Sequence, residues 1–103
     1  MFTKEDAINY SRLFLNACKI LPIKIDRAFI FGSVVRGKAT EQSDIDIALF
    51  SDYFSDNILD NLDLIGKVAI RFPEIDIHTF SYKDYQKSGM MLDEIKSSGI
   101  AIL

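Results

Sequence analysis

The sequence predicts an α/β (α+β) domain, a small mixed sheet of about four strands with helices packed on one face. Three observations point there. Ala28-Phe29-Ile30-Phe31 is apolar at consecutive positions, as a central strand covered on both faces requires. Glu74-Ile75-Asp76-Ile77-His78-Thr79-Phe80 alternates with the period of a strand that buries one face. Two longer stretches, 3–21 and 57–72, carry apolar residues at three- and four-residue spacing, the period of amphipathic helices.

In chain order, Thr3-Lys4-Glu5-Asp6 predicts a helix start with Thr3 as N-cap and Asp6 completing a short-armed capping box. Ala7, Tyr10, Phe14, Ala17, Cys18 and Leu21 form its core stripe, Leu13 and Ile20 widen the stripe on one side, and Pro22 ends the helix. Ile8 and Leu15 lie outside that stripe. They either extend the core face, which is the favoured reading, or dock a partner.

Asp26 and Arg27 lead into the first strand, at Ala28 to Phe31. Residues 34–39 are expected to form a short helix, followed by the turn Thr40-Glu41-Gln42-Ser43 and a second strand carrying Asp44 to Phe50. After a polar connection from Asp52 to Asp56, Asn57 to Phe72 reads as a helix with Ile58, Leu62, Ile65, Ala69 and Phe72 on one side. Gly66 costs that helix up to about 1 kcal/mol against Ala and is expected to mark close packing. Pro73 stops it.

The third strand turns Ile75 and Ile77 inward and sets Asp76 and His78 on the opposite face. Ser81 and Asp84 predict a capped helical turn, and Met91 to Ser97 a further helix. Gly99 then releases the chain into a last strand from Ile100 to Leu103. There is no internal repeat, linker or low-complexity segment.

A chain of 103 residues with 49% hydrophobic and 26% charged residues is expected to form one soluble globular domain spanning 1–103. The formal charge of −3 argues against a broad grip on nucleic acid, which needs clustered cations. The single cysteine, Cys18, excludes an internal disulfide and fits a reducing cytoplasm, with a buried thiol as its expected state. Met1-Phe2-Thr3-Lys4-Glu5-Asp6 lacks the layout of an export signal, and no apolar run approaches the ~20 residues of a membrane span. A cytoplasmic location is expected.

The chemistry concentrates between Gly32 and Phe50. A strand ends in Gly32-Ser33, a polar turn follows, and a second strand carries Asp44 and Asp46 two positions apart. Side chains alternate along a strand, so both aspartates are expected to project from one face within reach of a common ion. Two carboxylates ~4 Å apart at an effective dielectric near 20 repel by roughly 4 kcal/mol, so a cation is expected between them. With no Cys or His near in sequence, a hard oxygen-seeking cation, Mg2+ first, suits the pair. Gly32 lets backbone N–H groups approach an anion closely, and Ser33 adds a hydroxyl donor. If a helix begins there, its N-terminal N–H groups add a favourable field.

Gly32-Ser33, ten residues, then Asp44-x-Asp46 resembles the signature of the DNA polymerase beta-type nucleotidyltransferase superfamily. With Arg36-Gly37 and Ser43-Asp44-Ile45-Asp46, the stretch most resembles the minimal nucleotidyltransferase (MNT) branch. The motif covers a fifth of the chain or less, and the order of elements on both sides agrees. The resemblance implies the nucleotidyltransferase fold, with the active site on the sheet face opposite the helices. It also implies three carboxylates, Asp44, Asp46 and Asp76, around two Mg2+ ions that hold ATP. Gly32, Ser33 and Arg36 would then bind nucleotide, and Asp76 would bind the ion nearer the acceptor and take its proton.

Glu74 competes with Asp76 for the third place. Arg36 either meets a phosphate or pairs with Glu41, and Lys38 is expected in solvent. His78, the lone histidine, is expected at a surface or hydrogen-bonded position rather than as a ligand.

Members of the MNT branch are commonly paired with an all-helical HEPN-domain protein in toxin–antitoxin-like modules. The resemblance therefore implies transfer of AMP from ATP to a hydroxyl of that partner, tyrosine among the candidates, silencing its ribonuclease function. Two alternatives stand beside it. The chain is a non-catalytic antitoxin that neutralises its partner by occlusion, or a homodimer that modifies a small molecule such as an antibiotic.

Overall fold

In the computed structural model, which describes residues 3–37, 44–87 and 89–103, helix α1 (Lys4–Cys18) starts on the predicted capping box. Thr3 Oγ1 accepts the Asp6 backbone N–H at 3.0 Å, and the Asp6 carboxylate accepts the Thr3 N–H at 3.4 Å. Ala7, Phe14 and Cys18 are buried, with Tyr10 and Ala17 packed partly against the same core. Ile8 and Leu15 join that core, so the wider face is the correct reading of them. Leu13 and Ile20 do not widen the stripe; they stand 62% and 67% exposed. Nor does the helix run to Pro22. After Cys18 the bonds tighten to i+3 type, Ile20 N to Ala17 O and Leu21 N to Cys18 O, which turns the chain before the proline is reached.

Four strands follow: β1 (Arg27–Phe31), β2 (Ile45–Ser51), β3 (Ile75–Ser81) and β4 (Ile100–Ala101). They form one sheet in the order β3-β2-β1-β4. β1 runs antiparallel to both β2 and β4, whereas β2 and β3 are parallel, so the sheet is mixed as the sequence predicts. A parallel pair needs a crossover, and helix α2 (Ile58–Ala69) supplies it.

The two faces of β1 divide the molecule. Ala28 and Ile30 face a core shared with α1 and α2, completed by Ile45, Ile47, Leu49, Ile65, Val68 and Ile75. Phe29 and Phe31 face the other way, packing with Ala48, Phe50 and Ile95 of helix α3 (Met90–Ser98). Phe80, Tyr82 and Tyr85 close that second cluster from β3 and the 3-10 turn Tyr82–Gln86. α1 and α2 thus lie on one face as expected, and α3 covers part of the other.

α2 sits rotated from its expected orientation. Ile58 and Leu62 are exposed, at 66% and 42%, while Asn61, Ile65 and Val68 are buried. The rotation of about 50°, half a residue of helix, keeps Ile65 inside and follows from Asn61. Its Oδ1 accepts the Ser55 N–H at 2.9 Å, and its Nδ2 donates to Ser55 O at 2.8 Å and to Thr79 Oγ1 at 2.9 Å. A buried amide so satisfied holds a core position that apolar spacing assigns to its neighbours. Gly66 marks no close packing, since a Cβ there would meet open space.

Residues 33–37 form turns rather than the start of the predicted helix, with Arg36 N bonded to Gly32 O at 3.2 Å. The rest of that expected helix and the Thr40–Ser43 turn lie outside the described residues. Among the described residues no helix is long and apolar enough to cross a membrane.

Candidate active site

The end of β1 and the starts of β2 and β3 meet at one edge of the second face. Phe31 pairs with Asp46 across the antiparallel seam, and Asp46 stands in register with Asp76 across the parallel one. Neighbouring strands lie about 4.8 Å apart, so register alone sets these two carboxylates side by side. His78, two residues beyond Asp76 on the same face, brings its Nε2 to 3.3 Å from Asp46 Oδ1 and 3.4 Å from Asp76 Oδ2. Ligand atoms of Asp46, Asp76 and His78 all lie within 4.8 Å of one another. The Phe31 ring meets the imidazole edge to face at 5.0 Å and fixes its plane.

Gly32 completes the corner. Its φ of +81° lies in the left-handed region, and a Cβ there would overlap Asp46 Oδ2 and stand 3.2 Å from Asp46 Cγ. Only hydrogen at this position leaves the carboxylate its place. Burial pushes the Asp46 carboxyl above the usual carboxylate range; His78 opposes that shift and Asp76 reinforces it. Asp46 and His78 side chains are each 27% exposed and Asp76 is 55% exposed, so the group opens to solvent on one side. Two oxygen donors and one nitrogen donor, half-desolvated and carrying excess negative charge, suit a divalent cation.

The other predicted site residues are arranged less tightly. Asp44 precedes β2, is exposed, and is not among the side chains gathered with Asp46 and Asp76. Strand pairing begins only at Ile45, whose N–H bonds Glu74 O at 2.9 Å, so Asp44 lies beyond the ladder that aligns its neighbour. Ser33 is half-buried in the turn after Gly32.

Arg36 pairs with Glu94 of α3, and Glu41, the alternative to a phosphate as its expected partner, lies outside the described residues. Gly32 and Arg36 line one narrow cleft with Glu94 and Ser98. Glu74 accepts a hydrogen bond from the Tyr10 hydroxyl of α1, so Asp76 is the acid that joins Asp46. Lys38 also lies outside the described residues. A larger, mostly apolar cavity is lined by Leu15, Cys18, Ile23, Ile25 and Leu103 with Lys19 and Lys24, and no Asp or Glu side chain lines it.

The sequence expectation for His78 is a surface or hydrogen-bonded position on the Asp76 face, and its Nε2 lies at hydrogen-bond distance from Asp46 Oδ1; the proximity to Asp46 itself comes from the pairing of β2 with β3.

A model of the family described as polymerase beta, nucleotidyltransferase matches residues 17–103. The chain belongs to the polymerase beta-type nucleotidyltransferase family. No curated protein matches it. Solved structures with this fold include a nucleotidyltransferase candidate from Sulfolobus solfataricus, 15% identical, with a TM-score of 0.69 over 95% of this chain and 80% of that one. A toxin–antitoxin complex with AMP-PNP is 22% identical, with a TM-score of 0.63 over 92% of this chain and 73% of that one. A tri-AMPylated Shewanella oneidensis HEPN toxin in complex with its MNT antitoxin gives 20% identity and a TM-score of 0.53, over 98% of this chain and 72% of that one. At these identities the likeness to this nucleotidyltransferase domain is one of fold.

Proposed function

We propose that this nucleotidyltransferase domain transfers AMP from ATP to a hydroxyl of a HEPN-type toxin partner, tyrosine among the candidates, and acts as its cytoplasmic antitoxin. The observation that carries the reading is the register pair Asp46–Asp76 beside a glycine with no room for a side chain. Support for the nucleotide and the partner comes from the solved relatives, one complexed with AMP-PNP and one containing an AMPylated HEPN toxin.

In the transfer, the acceptor oxygen bonds to the α-phosphorus, the bond from that phosphorus to the bridging oxygen breaks, and pyrophosphate leaves with the electron pair. The hydroxyl proton passes to Asp76, the more exposed acid. Asp44, Asp46 and Asp76 would hold two Mg2+ ions, which neutralise phosphate charge and acidify the hydroxyl when bound. Asp46 is held in register by β2, and Gly32 keeps the space its carboxylate needs. Ser33 and the turn N–H groups offer donors to the triphosphate, and Arg36 would exchange Glu94 for a phosphate.

The test is incubation with α-labelled ATP, Mg2+ and the cognate helical partner, followed by intact mass. The partner gains AMP with wild type, and the Asp46→Asn and Asp76→Asn variants abolish the gain. A folded protein and authentic partner that yield no transfer with any nucleotide overturn the reading.

The exposed apolar ridge Ile58, Leu59 and Leu62 on α2 favours a second reading, neutralisation by occlusion. Neutralisation that survives Asp46→Asn and fails with Leu59→Glu would establish it.

A further inference from the structure

We propose that the cation site between β2 and β3 takes His78 Nε2 as a nitrogen ligand and therefore selects a borderline transition ion of the zinc type over Mg2+. This rests on the nucleotide-transfer reading and changes one of its two ions: the ion seated between Asp46 and Asp76 is the zinc-type one, and the Mg2+ that enters with ATP stays.

The geometry carries the assignment. Two donors that share an ion at about 2.1 Å stand about 3.0 Å apart at a right angle and about 3.4 Å apart at a tetrahedral angle. The separations of His78 Nε2 from Asp46 Oδ1 and from Asp76 Oδ2 are 3.3 and 3.4 Å, edges of one coordination polyhedron. Orientation is set independently of any ion, because the Phe31 ring meets the imidazole at 5.0 Å and 65°. The position follows from strand register, since β3 places Asp76 and His78 on one face opposite Asp46 and Ala48.

Imidazole suits Zn2+, Fe2+ and Ni2+, whereas Mg2+ seeks oxygen and an octahedron of waters and carboxylates. An imidazole nitrogen within 3.4 Å of an oxygen of each carboxylate favours the first group.

The chain has a single histidine, which makes the test direct. In untagged, metal-free, 15N-labelled protein, the imidazole nitrogens give one set of long-range 1H–15N correlations. Zn2+ is expected to move the Nε2 resonance to the range of a coordinated nitrogen and leave Nδ1 as the protonated partner, and Mg2+ is expected to leave both in place. Calorimetry with Zn2+ on His78→Asn and His78→Gln should show a 10- to 100-fold loss of affinity, with Mg2+ affinity unchanged. Circular dichroism confirms folding, and the two variants guard against one that misfolds.

Zn2+ that binds while Nε2 stays put, or equal affinity for wild type and both folded variants, overturns the inference. AMP transfer by wild type with Mg2+ is measured separately. Transfer with an unmoved Nε2 removes this inference alone, and a moved Nε2 without transfer removes only the nucleotide-transfer reading.

Discussion

At Gly32 a single hydrogen separates a working corner from a blocked one. Gly32→Ala forces a side chain into the left-handed region at about 1–2 kcal/mol and displaces the Asp46 carboxylate. The expected outcome is a folded protein that loses on the order of 100-fold in transfer rate, checked by denaturant melts and single-turnover assays. Cys18 makes a prediction of a different kind. It is 3% exposed, and burial pushes its thiol up to about 11. Iodoacetamide at pH 8 should label it slowly in the native protein and rapidly in urea, read by mass. The thiol's burial and the glycine's place beside the aspartates were legible in the sequence, because one follows from helical spacing and the other from a strand end followed by a turn. That His78 shares the face of Asp76 was legible too, but its approach to Asp46 was not inferred. It depends on how far β3 slides along β2, which local spacing does not encode.

Among the elements, β1, β3 and the start of α1 were readable because each has one solution, an apolar run over 28–31, an alternation over 74–78, and a capping box. α2 has several. Ile58, Leu59, Leu62, Leu64, Ile65, Val68, Ala69 and Ile70 spread round most of the helix, and the choice among rotations falls to the bonds of Asn61 to Ser55 and Thr79. Two substitutions test that choice. Ile65→Ala should destabilise by about 2–5 kcal/mol, whereas Ile58→Ala should stay within about 0.5 kcal/mol, both from urea melts. Asn61→Ala strips three hydrogen bonds and leaves Thr79 Oγ1 without this donor, for an expected loss of about 2–3 kcal/mol. The 33–37 stretch shows the opposite failure. Ser33-Val34-Val35-Arg36-Gly37 permits both a short helix and a series of turns, and the geometry at Gly32 settles on turns.

Across the whole molecule, two groups bias stability in one alkaline window. The Tyr10 hydroxyl is pushed up to about 12 by burial and by its bond to Glu74, and Cys18 is raised from 9.0 to about 11 by burial. Each keeps its proton longer in the folded state than in the unfolded one. Their contributions are complete below about pH 9 and are lost as pH climbs towards 12. Denaturant midpoints measured from pH 8 to 12 should fall across that window, less steeply in Tyr10→Phe. The strand order bears on the site as well. Asp46 belongs to an interior strand, but Asp76 and His78 belong to the outermost one, paired on a single flank. Peeling of that flank would part the liganding groups without unfolding the rest, so an ion seated there acts as a rivet across the seam. Deuterium uptake by the amides of residues 75–81 should slow when a divalent ion is added, while uptake in the buried middle of the sheet stays as it was.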